Sequence, residues 1–239
     1  MAARLGPTRF RSSATIRDGR AVALAQDAID LLDGLGVKRC LVVGHDWGGR
    51  VAYHLGALLP ERLTAIAALG IGYASNGKFE VPGFEQARLW WYQWLMATEG
   101  ANTIRADPIG FARAQWNHWS PYGWFDEPAF ERTADSFRNP DWAAITLHGY
   151  RARWRDEVLH QRYAAAQAQI EATCELSVPT LMIVGREDRA DFPEESGESC
   201  FPAGYRRIVL DQVGHFPARE TPGIVANAIL AFIGERTAN

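Results

Sequence analysis

Cysteine is scarce. The 239 residues hold three, Cys40, Cys174 and Cys200, and no Cys-x-x-Cys pair. An odd, sparse set argues against a disulfide framework or a zinc knuckle, and suits a reducing, cytoplasmic compartment. Long apolar runs are missing too. None reaches the ~20 residues that a membrane-spanning helix needs. The amino-terminal twenty residues carry five Arg but no apolar stretch, which argues against a secretory signal. Their Ser12, Ser13 and Thr15 would also suit a transit peptide, but the segment matches a better pattern below. No charge sign dominates: 25 basic and 28 acidic residues leave a net −3. That predicts neither a nucleic-acid partner nor an anionic membrane surface. A nucleotide cofactor is not expected, since "GIG" at 70–72 lacks a third glycine and no Walker pattern occurs. No metal or other cofactor is expected either. Repeats and low-complexity tracts are absent.

What remains, 47% hydrophobic and 22% charged, is an ordinary globular composition with enough chain for a sizeable core. Val22, Ala25, Ile29 and Leu32 recur at helical spacing, with Asp27, Asp30 and Asp33 off the stripe; Gly34 and Gly36 end it. "RCLVVG" (39–44) predicts a buried strand, "GRVAYHLGALL" (49–59) a helix, and "TAIAALG" (64–70) a second strand. This alternation belongs to a parallel sheet covered by helices. The next eighty residues change character. Eight of the nine tryptophans lie between Trp90 and Trp154, in mostly helical patterns. The α/β rhythm then returns: a helix near 155–173, strands at 180–185 and 207–210, and a last helix. That helix opens at Thr221 and Pro222 and buries Val225, Ile229 and Phe232. The expected organisation is an α/β core, residues 1–75 and 157–239, interrupted by a helical cap at 76–156.

The stretch "VVGHDWGGR" (42–50) carries the chemistry. A strand ending in Gly44, a sharp turn at Asp46 and a helix starting near Gly48 make the pattern Gly-x-Asp-x-Gly. This is a nucleophile elbow with Asp where Ser is usual. The glycines are expected to let strand and helix pack closely, and the turn exposes the carboxylate at the positive end of the helix. The plainer reading makes Asp46 a helix N-cap. The residue type points to the reaction. Alkylated Ser would be an inert ether, whereas alkylated Asp is an ester that water can hydrolyse. An ionised Asp needs no base, which leaves a His free for the second step. Asp in this position therefore implies displacement at sp3 carbon. The partners should follow as acid, then His. "LMIVGREDRADFP" places Asp188 just after a strand, with Asp191 and Asp211 as alternatives; "LDQVGHFPARETP" places His215 after the last strand. Both are carboxyl ends of strands, where such sheets build their sites. His45, His54, His118, His148 and His160 read as surface or packing residues.

"VVGHDWGGR", "GREDRADFP" and "VGHFPARETP", with "LGPTRF" at 5–10, resemble the epoxide hydrolase branch of the α/β-hydrolase superfamily; haloalkane dehalogenases share the Asp-Trp elbow. The resemblance spans essentially the whole chain. It implies hydration of an epoxide to a vicinal diol: Asp46 opens the ring to form an ester, and His215, held by Asp188, activates the water that hydrolyses it. Two cap tyrosines would protonate the departing oxygen, Tyr150 in "LHGYRARW" and Tyr92 in "WYQWL", with Tyr122 in reserve. Trp47 would supply a backbone N–H to the oxyanion and line the pocket floor. Tyr150 is the better match; the alternative for each, more so for Tyr92, is an amphipathic tyrosine anchoring a helix. The tryptophan-rich cap suggests a small apolar epoxide, with water as the second substrate. A dehalogenase, and a catalytically silent binding protein of the same fold, are the competing expectations.

The resemblance also exposes a gap. It begins at a point that in the family follows the fourth strand of the sheet, and no His-Gly-x-Pro turn, source of the second oxyanion N–H, occurs. The family's strand order, 1-2-4-3-5-6-7-8, then leaves the strand at 39–44 as an exposed edge, open to aggregation or to pairing with a second copy in a homodimer. The expectation is a fragment of a longer enzyme, weakly active alone, with the amino-terminal half of the sheet missing.

Overall fold

The computed structural model describes residues 8–73, 81–155, 157–190 and 197–237. Four parallel strands, β1 (Cys40–His45), β2 (Leu63–Leu69), β3 (Thr180–Gly185) and β4 (Tyr205–Leu210), form a sheet in the order β1-β2-β3-β4. The two central strands are apolar on both faces, as parallel strands covered by helices on each side must be. β3 is buried along its whole length, and β2 everywhere but Thr64. One face packs against helices α1 (Ala21–Gly34) and α2 (Trp47–Leu58), where Val22, Tyr53, Leu55 and Ile66 share a cluster with Ile170 from α9 (Ala164–Ala172). The other face receives Val225 and Phe232 of the last helix (Pro222–Thr237), with Ile229 packed alongside.

Among the described residues β1 is an edge, paired only with β2. Its Val43 is 45% exposed, a large apolar side chain at an open ladder. The helix expected near 155–173 is shorter. A tight turn at Gln161–Tyr163 leads into α9 at Ala164, and residues 157–160 before it are irregular.

Between β2 and β3 lies a helical insertion: α3 (Phe84–Leu89), α4 (Trp91–Ala97), α5 (Ala101–Ala106), α6 (Pro108–Trp119), α7 (Glu127–Phe137) and α8 (Trp142–Trp154). Most of its indoles fill its own two clusters, around Trp90, Trp142 and Leu147, and around Trp116 and Phe130. The loop before α1 is fastened to α8. Asp18, almost wholly buried, lies 3.2 Å from Arg20 and 3.4 Å from His148. Gly19 runs so close to α8 that a Cβ there would sit 1.9 Å from the Ile145 carbonyl. Among the described residues, no helix is long and apolar enough to cross a membrane, and no cluster of side chains has a metal-ligand arrangement.

Candidate active site

Asp46 stands where β1 turns into α2, with φ 50° and ψ −115°. A non-glycine residue with positive φ stores strain. Here both backbone ends are pinned: its N–H donates to the Leu69 carbonyl of β2, and its carbonyl accepts from Arg50, each at 3.0 Å. The side chain makes no capping hydrogen bond. The carboxylate is left facing outward, beside the N–H groups of the first turn of α2, which have no acceptor within the helix. The close packing comes from Gly44 and Gly49, not Gly44 and Gly48. A Cβ on Gly44 would lie 2.1 Å from the Gly48 carbonyl, and one on Gly49 would lie 2.3 Å from Ile71; at Gly48 the space is open.

His215 reaches the same point from the loop after β4. Its Nε2 is 4.0 Å from Asp46 Oδ1, and its Nδ1–H donates to Asp188 Oδ2 at 2.9 Å. Asp188 is buried, and its other oxygen accepts from the Ala190 N–H at 2.8 Å. That hydrogen bond fixes the tautomer that leaves Nε2 as a base. Of the alternatives, Asp211 is exposed and ion-paired to Arg186, and Asp191 lies outside the described residues.

Helix α8 brings Tyr150 over the elbow. Its hydroxyl accepts a 3.1 Å hydrogen bond from the Trp47 indole N–H, and the two rings meet edge to face. Burial, then the charge of Asp46, pushes the Tyr150 phenol up to about 12, so it holds its proton. Tyr92 packs edge-on to Tyr150, 5.7 Å between ring centres, and accepts from Gln93. Tyr122 is fully exposed and away from the cavity. Asp46, Trp47, Tyr92, Tyr150 and His215 line one narrow cavity. Its lining is not the apolar surface expected from the tryptophan content: Arg50, Gln93 and Arg153 share it with Trp90 and Ile71.

The family described as "alpha/beta hydrolase fold" matches residues 6–220. The chain belongs to the α/β-hydrolases. Within them it fits the epoxide hydrolase-like branch. A solved structure from Klebsiella pneumoniae, provisionally named an epoxide hydrolase, superposes with a TM-score of 0.90 at 32% identity, over 97% of this chain and 78% of that one. An AB hydrolase superfamily protein of Bacillus subtilis is 29% identical, over 90% of this chain and 72% of its own. Epoxide hydrolase A of Mycobacterium tuberculosis is 27% identical, over 88% and 73%.

Three residues of this α/β-hydrolase's site had drawn no role in sequence reasoning. By sequence, His45 reads as a surface or packing histidine. Its Nε2–H donates to the His215 carbonyl at 2.6 Å, and burial lowers it to about 4, so it is a neutral donor bracing the His215 backbone. Glu220 accepts from the N–H groups of Gly214 and Phe216 and from the Ser120 hydroxyl. Ser120 in turn accepts from the His215 N–H at 2.9 Å. "GHFPARE" contains Glu220, five residues beyond His215, but that spacing alone does not show a carboxylate folding back over the loop.

Proposed function

We propose that this hydrolase opens epoxides to vicinal diols through an ester on Asp46, with residues 76–156 as the cap over a core of 1–75 and 157–239. The observation that carries the reading is one cavity holding a strained, outward carboxylate, a base 4.0 Å from it and a phenol that keeps its proton. Asp46 attacks a ring carbon, the C–O bond breaks, and the oxygen takes the Tyr150 proton, with Tyr92 as the second donor. His215, oriented by Asp188, then removes a proton from water, which attacks the ester carbonyl. The Trp47 N–H at the start of α2 stabilises the oxyanion. Collapse releases the diol and restores the carboxylate with one oxygen from water. Of the two water protons, one ends on the diol and the other returns to Tyr150.

One observation favours an epoxide over a halide. A departing halide is held by N–H donors, and the Trp47 indole N–H is already given to the Tyr150 hydroxyl.

His215→Gln separates the two steps. With styrene oxide, the intact variant should gain one stable adduct on Asp46 and release no diol. Wild-type protein cycling in heavy-oxygen water should accumulate label in Asp46. A first-turnover diol carrying the label, with none ever in the protein, would mean direct attack by water and would overturn the covalent route.

A further inference from the structure

The helical insertion reaches His215 as well as the elbow. Trp119 is the last residue of α6, and its carbonyl accepts N–H groups from two core loops. One is Arg189, next to Asp188, at 3.3 Å; the other is His215 itself, at 3.1 Å. The Trp119 indole meets the His215 ring edge to face, 4.9 Å between centres, and lies against Tyr92. Ser120 follows and is buried. Its Oγ accepts the His215 N–H at 2.9 Å and donates to Glu220 at 2.8 Å. The two backbones nearly touch here: a Cβ on Gly214 would lie 2.4 Å from Ser120 Cα.

Three successive N–H groups, those of Gly214, His215 and Phe216, are satisfied in this way. Glu220, from within the loop, takes the outer two at 2.8 and 2.9 Å. The middle one, which belongs to His215, is left to Ser120 and Trp119 of the insertion. A buried N–H without an acceptor is costly, so the end of α6 is part of what holds this loop in place. His45, next to Asp46 in the chain, holds the carbonyl of the same residue at 2.6 Å. With its backbone fixed at both ends, the imidazole has its Nδ1 on Asp188 at 2.9 Å and its Nε2 4.0 Å from Asp46 Oδ1. Tyr92 and Tyr150 stand on α4 and α8 of the same insertion. One element therefore places the phenols on one side of Asp46 and braces the imidazole on the other.

Taking His215 as the base, as in the reading above, we propose that Ser120 is a positioning residue. Through the His215 N–H and Glu220 it keeps the imidazole in line with Asp188 and with the water that attacks the ester. It acts on the second step alone, because ring opening needs only Asp46 and a proton donor.

Two readouts test this. The first is kinetic. In single turnovers of styrene oxide, followed by acid-quenched mass spectrometry, Ser120→Ala should slow decay of the Asp46 ester roughly tenfold and leave its formation unchanged. The loss stays below the ~10²-fold that a 1 Å misplacement can cost, because the Trp119 carbonyl still takes the His215 N–H. The second readout needs no substrate. The low-field NMR resonance of the His215 Nδ1 proton, identified by its loss in His215→Gln, should move upfield or exchange away in Ser120→Ala. Glu220→Gln, which turns a donor toward these N–H groups, should do the same, and adding Ser120→Ala to it should cost little more. Arg17→Gln is the structural control: Arg17 ties the insertion to the core elsewhere, through Asp141 at 2.9 Å. It should lower the urea midpoint and leave both readouts alone. A resonance that stays in place in Ser120→Ala, or moves as far in Arg17→Gln, would overturn the proposal. So would a moved resonance with ester decay at the wild-type rate. If the wild type forms no ester at all, the epoxide reading falls, and the resonance alone decides whether Ser120 positions His215.

Discussion

Asp46 combines backbone strain with chemical simplicity. A residue at φ 50° costs of order 1–3 kcal/mol, and it persists because β2 and α2 both hold its backbone. In return the carboxylate makes no capping hydrogen bond to its own helix. On the proposed route Tyr150 faces the opposite requirement, since it would have to keep a proton until the ring opens. Burial and the nearby Asp46 charge do this, by raising the phenol to about 12. Tyr150→Phe should therefore slow formation of the ester by ~10²–10⁴-fold and leave ester hydrolysis intact. Acid-quenched mass spectrometry of the Asp46 adduct measures the two rates separately. An unchanged rate of adduct formation would place the proton donor elsewhere.

At the level of elements, the elbow depends on how closely α2 approaches β1. The Cβ that Gly44→Ala would add falls 2.1 Å from the Gly48 carbonyl, and backbone cannot swing aside as a long side chain can. This substitution should destabilise the fold by about 1–3 kcal/mol or more, and shift Asp46 out of line with His215. Gly48→Ala should be far milder, because the space at Gly48 is open and its place in the first turn tolerates a side chain. Urea midpoints for the two variants give the comparison; equal losses would mean that the close approach does not decide. The elements themselves were readable. The four strands begin and end within two residues of the apolar runs that predicted them, and the two central ones, buried on both faces, leave a near-continuous apolar record. Position 48 was misjudged because spacing alone cannot tell a glycine needed for contact from one beside open space. The helix expected near 155–173 begins only at Ala164, after a tight turn at Gln161–Tyr163.

Across the whole molecule, pH couples the site to stability. Burial lowers both His45 and His54 to about 4, from the usual 6.5. Between those values the unfolded chain binds protons that the folded chain refuses. Stability should therefore be highest above pH 6.5 and fall toward pH 4, by up to about 1.4 kcal/mol per pH unit for each histidine. Urea midpoints at pH 7, 6 and 5 check this, and His54→Gln should flatten the slope; a midpoint constant over that range would contradict it. By itself the sequence determined the fold class, the glycine-flanked turn at Asp46 and the chain order Asp46, Asp188, His215, because each rests on local pattern: apolar period, glycine placement and position at a strand end. It also put Asp188 and His215 in the loops where the structure brings them within hydrogen-bond reach. Tertiary structure alone decided that the Trp47 indole donates to the Tyr150 hydroxyl, that Glu220 and Ser120 hold the His215 loop, and that two arginines enter the cavity. These depend on how the helical insertion docks across the sheet. Contacts between residues a hundred positions apart, such as Trp47 with Tyr150 or Ser120 with Glu220, leave no periodic trace in either partner.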